Sequence, residues 1–191
     1  MIRYKKNPKG SSKIIEVDGK QYQAKYIGKG HFSRVYRVGD RVVYFTRGDC
    51  GKEVLAMFLY DKMAHLPDLT RHENITTVRG IWYVFSSPFY RDIKRSDTSA
   101  WTLMKEIVRY QSAYHAIAYK EGYRNVELMR MIVIMMQDYS SLPKSVMKAL
   151  YEIMDAASNC GDNVGFDLHK KNFGVNEYGT LIFRDPIYVR E

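Results

Sequence analysis

In the last quarter of the sequence, Asp167 is followed five residues on by Asn172, and Asp185 comes thirteen residues after that. The order around them is Gly165-Phe166-Asp167-Leu168-His169-Lys170-Lys171-Asn172, then Phe173-Gly174-Val175, and after a turn Leu181-Ile182-Phe183-Arg184-Asp185-Pro186. Phosphoryl transfer from ATP asks a protein for a carboxylate that orients the acceptor and for two oxygen ligands to magnesium, all at one place. Asp, Asn and Asp supply those groups if the chain folds back on itself. The short β-type runs on either side of a turn at Asn176 to Gly179 would make it do so.

This segment resembles the catalytic loop and metal-binding loop of the protein-kinase-like superfamily. Its Asp-Leu-His-x-x-Asn form is similar to that of aminoglycoside and choline kinases and of the early-gene Ser/Thr protein kinases of T-seven-like podophages. The closing Asp-Pro, in place of Asp-Phe-Gly, is nearest to the phage group. The resemblance implies that Asp167 is the catalytic base or hydroxyl-orienting residue, that Asn172 and Asp185 are the metal ligands, and that ATP and Mg2+ are the cofactors. His169 falls where small-molecule kinases commonly carry histidine, and its expected task is to brace the loop by hydrogen bonds.

A second match is Ile27-Gly28-Lys29-Gly30-His31-Phe32-Ser33-Arg34-Val35-Tyr36. Glycines let a hairpin backbone close over phosphates where a Cβ would crowd them, and its amides can face phosphate oxygens. The segment resembles the kinase glycine-rich loop, with Phe32 at the tip, Ser33 replacing the third glycine and Val35 where the adenine is covered. Gly28, Lys29, Gly30, Phe32, Ser33 and Val35 are therefore the expected nucleotide-binding residues. Glu106 joins them, because Trp101-Thr-Leu-Met-Lys-Glu-Ile-Val fits the strand leading into a hinge whose backbone would bond adenine. One position departs from the pattern. Aligning Arg41-Val-Val-Tyr-Phe with the third kinase strand puts Tyr44 where the family has its phosphate-contacting lysine. Lys29, or Lys52 beside Glu53, are the other sources of that charge.

The elements that must position these residues follow from periodicity and turn chemistry. Tyr22 to Ile27, Arg34 to Val38 and Arg41 to Thr46 read as strands, the last two joined by a Gly39-Asp40 hairpin turn. Val54, Leu55, Met57, Phe58, Leu59 and Met63 form a helical stripe expected to pack on those strands, and Ile81 to Phe85 and Trp101 to Ile107 read as further strands. Val126 to Asp138 and Lys144 to Ala157 have helical periodicity, with Ser140-Ser141-Leu142-Pro143 between them. The expected fold class is α+β. The resemblance makes it a minimal two-lobed protein-kinase-like fold, one domain over 1–191 with a β-rich N-lobe to about residue 104 and a reduced helical C-lobe from about residue 105.

Length and composition bound the rest. The 191 residues, 46% apolar and 14% aromatic, suit one globular unit or two small lobes. Thirty Lys and Arg against 21 Asp and Glu give a formal charge of +9, which attracts polyanions, yet the basic residues form no nucleic-acid stripe. Nucleic acid is thus a partner without a motif behind it, whereas a protein substrate follows from the resemblance. Cys50 and Cys160 lack paired spacing and are expected as thiols; His31, His65, His72 and His115 have no metal spacing, and no Ser-His-Asp or Cys-His arrangement is recognisable. The N-terminus lacks the apolar core of a secretory signal, and the longest apolar run, Met131 to Met136, falls far short of the roughly 20 residues that span a bilayer. No membrane association and a cytoplasmic location are expected, the host cytoplasm for a phage protein. The leading expectation is ATP- and magnesium-dependent transfer to Ser or Thr of proteins, host proteins included. The alternatives are an impaired pseudokinase that binds a host protein or nucleic acid, which Tyr44 favours, and a small-molecule kinase, which Asp-Leu-His suggests.

Overall fold

The computed structural model describes residues 9–30, 33–48, 50–58, 63–77, 80–121, 125–161 and 163–189. They fall into two compact units, one from Met1–Asp49 and Leu69–Phe89, the other from Cys50–Asp68 and Tyr90–Glu191. The fold is α+β. The boundary lies before residue 104, and the first helix, α1 (Cys50–Phe58), belongs with the second unit instead of with the strands.

The first unit is a seven-stranded antiparallel sheet: β1 (Ser12–Val17), β2 (Lys20–Lys29), β3 (Ser33–Val38), β4 (Arg41–Thr46), β5 (Thr70–Arg71), β6 (Ile75–Thr77) and β7 (Gly80–Pro88). The order is β1-β2-β3-β4-β7-β5, with β6 also paired to β7. Gly39, at φ 58°, makes the reversal between β3 and β4 that its dipeptide signals. Ile15, Val17, Ala24, Tyr36, Val43 and Val84 form the buried core, and Tyr26 and Phe45 pack on the Tyr36 ring at centroid distances of 5.4 and 5.6 Å. Strand β1 escapes the sequence reading because it turns only Ile15 and Val17 inward and leaves Ile14 exposed.

The second unit holds α1, α2 (Thr98–Glu121), α3 (Asn125–Tyr139) and α4 (Lys144–Ser158), followed by the short strands β8 (Val164–Phe166), β9 (Phe173–Val175), β10 (Leu181–Phe183) and β11 (Ile187–Val189). Helix α3 buries Leu128, Met129, Ile132, Val133 and Met136, and α4 buries Val146, Ala149, Leu150, Ile153, Ala156 and Ala157, the spacing of three and four that makes one apolar face. Trp101 to Ile107, expected as a strand, lies inside α2. Its inward residues, Ala100, Met104 and Ile107, recur at helical intervals, which the Trp, Ile and Val content had masked. Among the described residues no helix is long and apolar enough to cross a membrane, and neither Cys50 nor Cys160 is in a disulfide.

Gly165 is required by packing. A Cβ there would sit 2.7 Å from the Tyr188 ring on the paired strand β11, closer than non-bonded atoms approach. Gly165→Ala is expected to destabilise the protein by about 1–3 kcal/mol in urea denaturation, and Tyr188→Ala in the same chain should recover part of that loss.

Candidate active site

The last four strands form two nested ladders. In the outer one, Val164, Gly165 and Phe166 of β8 pair with Val189, Tyr188 and Ile187 of β11; in the inner one, Phe173, Gly174 and Val175 of β9 pair with Phe183, Ile182 and Leu181 of β10. Between the ladders, the six residues 167–172 on one arm face the three residues 184–186 on the other. Unequal arms force the longer one to bulge, and it folds into a 3-10 turn over Lys170–Asn172. Asp167, Asn172 and Asp185 all lie in this interruption.

Backbone hydrogen bonds close it from both ends. Asp167 N donates to Pro186 O at 2.7 Å, and Arg184 N donates to Asn172 O at 2.7 Å, so the two flanking positions of Asp185 are each bonded to one of the other two residues. The Asn172 side chain donates Nδ2 to Asp167 O at 2.8 Å, which fixes the amide plane and leaves Oδ1 as the oxygen that can ligate a cation. His169 caps the 3-10 turn by accepting from Lys171 N at 3.1 Å, and its Nε2 lies 3.5 Å from Asp167 Oδ1. The expected bracing role of His169 matches this geometry.

Residues that sequence reasoning passed over hold the arms. Arg184 donates to Lys171 O at 2.8 Å, to Asp92 Oδ1 at 2.9 Å and to Tyr90 O at 3.2 Å, and Gly174 has no Cβ because Arg184 and Tyr90 lie where one would be. Gln111, on the face of α2 toward β8, donates to Phe166 O at 2.9 Å, directly before Asp167. Its signal in sequence depends on α2 being a helix. Lys52 Nζ lies 2.8 Å from Asp185 Oδ1. Lys52, unlike Arg184 and Gln111, is already named by the sequence as a source of charge; its pairing with Asp185 is what the structure adds.

The glycine hairpin belongs to the first unit. Gly28 and Lys29 lie in β2, paired with Val35 and Arg34 across a bulge that follows Tyr26; Gly30 N donates to Ser33 O at 2.9 Å, and Ser33 is buried. Phe32 and His31 lie outside the described residues. A Cβ at Gly28 would meet no described atom within 4 Å, and one at Gly30 would meet only the Ser33 Cβ at 3.9 Å. Neither has a left-handed φ. Among the described residues, neither backbone conformation nor a close packing contact requires these two glycines. Tyr44 lies in β4, paired with Val35 and Phe85, its phenol sharing a 3.3 Å hydrogen bond with the Ser87 hydroxyl.

Glu106 does not serve as expected. It is inside α2, where the backbone groups of 105–107 are committed to helical hydrogen bonds and cannot face an adenine edge. Its carboxylate instead accepts from Ser141 N at 3.0 Å and pins the α3–α4 connection. Lys170 has its ammonium 4.8 Å from the Trp101 ring centre.

A Ser-His-Asp arrangement does exist, contrary to expectation, because its members are brought together only by the sheet. Asp18 Oδ2 lies 2.6 Å from His72 Nδ1, and His72 Nε2 lies 2.8 Å from Ser86 Oγ. The atom order is that of a nucleophilic triad. Ser86, however, is 3% exposed, and Arg41 also donates to its hydroxyl at 2.9 Å, so its oxygen already serves as an acceptor. The relay clamps the β1–β2 turn to β7, and the hydrogen bonds from His72 and from the Glu73 amide hold the Asp18 carboxyl below its ordinary range. No metal-binding group of three or more His, Cys, Asp or Glu occurs among the described residues. No protein-family model matches the chain, and no curated protein matches it.

His65 links the inner ladder to α4. It has φ 75° and is buried; its Nδ1 is 2.8 Å from Leu181 O and its Nε2 3.1 Å from Ser145 Oγ, while its own carbonyl accepts from Phe183 N at 2.8 Å. A carbonyl only accepts, so Nδ1 carries the proton and the neutral ring accepts from Ser145. Burial pushes the His65 pKa below the usual imidazole range, against the opposing pull of the Leu181 carbonyl. The unfolded chain, with an ordinary histidine pKa of about 6.5, then binds more protons than the folded one in the window below that value. Stability is complete above it and falls as pH drops toward the lowered folded pKa. Urea midpoints should decline between about pH 7.5 and pH 5, and His65→Asn, which tolerates positive φ, should remove that part of the slope.

Proposed function

We propose that this chain is a protein-kinase-like phosphotransferase that moves the γ-phosphoryl group of ATP to a Ser or Thr hydroxyl of a protein. The observation that carries the proposal is the gathering of Asp167, Asn172 and Asp185 in one interrupted hairpin, with the Asn172 amide oriented by the Asp167 carbonyl. In the reaction the acceptor oxygen bonds to the γ-phosphorus, the bond from that phosphorus to the β–γ bridging oxygen breaks, ADP leaves, and the hydroxyl proton passes to the Asp167 carboxylate. Asp167 suits that task because it is half-buried, anchored through its backbone amide to Pro186 O, and near the His169 imidazole.

The donor set fits magnesium. That ion takes one or two protein oxygens and fills its remaining positions with water and phosphate, so Asn172 Oδ1 and one Asp185 carboxylate suffice without a larger acidic cluster. Bound there, the ion would neutralise charge on the phosphates. The same reading gives Gly28 and Gly30 a phosphate-binding task. The resemblance to podophage early kinases extends the proposal to a phage protein acting on host targets. A second reading, a pseudokinase acting by binding alone, draws on one observation: Tyr44, hydrogen-bonded to Ser87, occupies the place of the family's lysine.

Purified protein incubated with γ-labelled ATP, magnesium and cell lysate should label acceptor proteins. Asp167→Ala and Asp185→Asn should each lower labelling by at least about 100-fold while keeping a cooperative urea transition. No label from a folded, nucleotide-binding wild type would favour the pseudokinase. Gly28→Ala and Gly30→Ala provide a separate check: stability should change by no more than about 1 kcal/mol, since a Cβ fits at both places, while ATP affinity falls.

A further inference from the structure

The lysine that the family places on its third strand is replaced by Tyr44 on β4, and two other cations could take over its task. Lys29 is exposed on the glycine hairpin. Lys52 has a different setting: its side chain is 5% exposed, and its ammonium sits 2.8 Å from Asp185 Oδ1, whose own side chain is 45% exposed. The cation is thus held inside, and the carboxylate that it holds opens toward solvent.

Stability alone does not account for this pair. A buried ammonium is costly to desolvate, and an apolar residue of similar shape often serves a fold equally well or better. The placement of Lys52 is also built by packing. Gly51, its neighbour, lies against Ile187, where a Cβ would be 3.2 Å from both the Ile187 Cβ and its carbonyl oxygen. The missing side chain brings the start of α1 down onto β11, two residues beyond Asp185. An ammonium has three donors, so it can exchange one of its partners for a phosphate oxygen and keep the Asp185 carboxylate.

We infer that Lys52 is the phosphate-contacting cation of this chain, delivered from helix α1 in place of the missing β4 lysine, and that in the absence of nucleotide it holds Asp185 in position. This rests on the phosphotransferase reading of Asp167, Asn172 and Asp185. It also removes the main feature favouring a pseudokinase, since the required charge is present on another element.

The test measures binding, not turnover. A fluorescent ATP analogue with magnesium is titrated into wild type, Lys52→Met and Lys52→Arg, each first shown to be folded by its urea transition, and adenosine is measured by competition. Lys52→Met should bind the triphosphate roughly 10- to 100-fold more weakly, the worth of one charge-assisted hydrogen bond, with adenosine affinity changed less than about twofold. Unchanged triphosphate affinity in folded Lys52→Met would overturn the inference and leave Lys52 as a structural partner of Asp185. Should Lys52→Met fail to fold, Lys52→Arg decides. A planar guanidinium keeps the ion pair but not the compact ammonium, so triphosphate binding should fall at least about threefold, and wild-type binding by that variant would count against the inference. A wild type that binds no ATP would remove the phosphotransferase reading and the inference with it, whereas binding by the wild type with no effect of Lys52 removes only the inference.

Discussion

The mismatch of the two nested ladders is the constraint on which the candidate site depends. Two pairings of three residues each leave six residues on one arm against three on the other, and the hydrogen bonds from Asp167 N to Pro186 O and from Arg184 N to Asn172 O prevent the surplus from wandering. Regular pairing through 164–189 would send alternate side chains to opposite faces. The interruption instead places Asp167, Asn172 and Asp185 in one short break of the hairpin, tied together through backbone hydrogen bonds. Fully buried Phe166, Phe173 and Phe183 anchor the strand ends around it, so the polar groups stand on a rigid apolar base.

Around that base, each supporting contact lets chain segments approach more closely or holds a backbone group that would otherwise drift. Gly165 admits the Tyr188 ring, Gly174 admits Arg184 and Tyr90, and Gly51 admits Ile187. Arg184 ties the shorter arm to Lys171 on the longer one, and Gln111 and His65 attach the ladders to α2 and α4. Lys52, from helix α1, adds a charge pair with Asp185 at 2.8 Å. On the proposed reading this support would have a functional meaning, because phosphotransfer asks little covalent chemistry of the protein and works by positioning and by placing charge.

Much of this was legible in the sequence because it is local. The Gly39-Asp40 turn, the strands around it, the periodicity of α3 and α4, and the order Asp, Asn, Asp across a hairpin are all set by neighbours within a few positions. What was missed depends on tertiary partners. Strand β1 hides its two core residues among exposed ones, and α2 carries strand-like residues whose inward set appears only on a helical wheel. With α2 helical, Glu106 is in no hinge strand, and its carboxylate accepts from Ser141 N. The Asp18-His72-Ser86 relay joins residues from three places in the sheet, and the Lys52–Asp185 pair spans most of the chain, so neither pairing has a local signature.

On the proposed reading, Asn172 and Asp185 hold a divalent cation beside bound nucleotide. Manganese takes the same oxygen ligands as magnesium and broadens the NMR signals of nearby nuclei. With ATP and manganese added to isotopically labelled protein, the account predicts selective broadening of the Asn172 side-chain amide and of the backbone amides of Asp167 and Asp185, abolished in Asp185→Asn. Nucleotide binding with these signals left sharp, or with broadening confined to other residues, would contradict it.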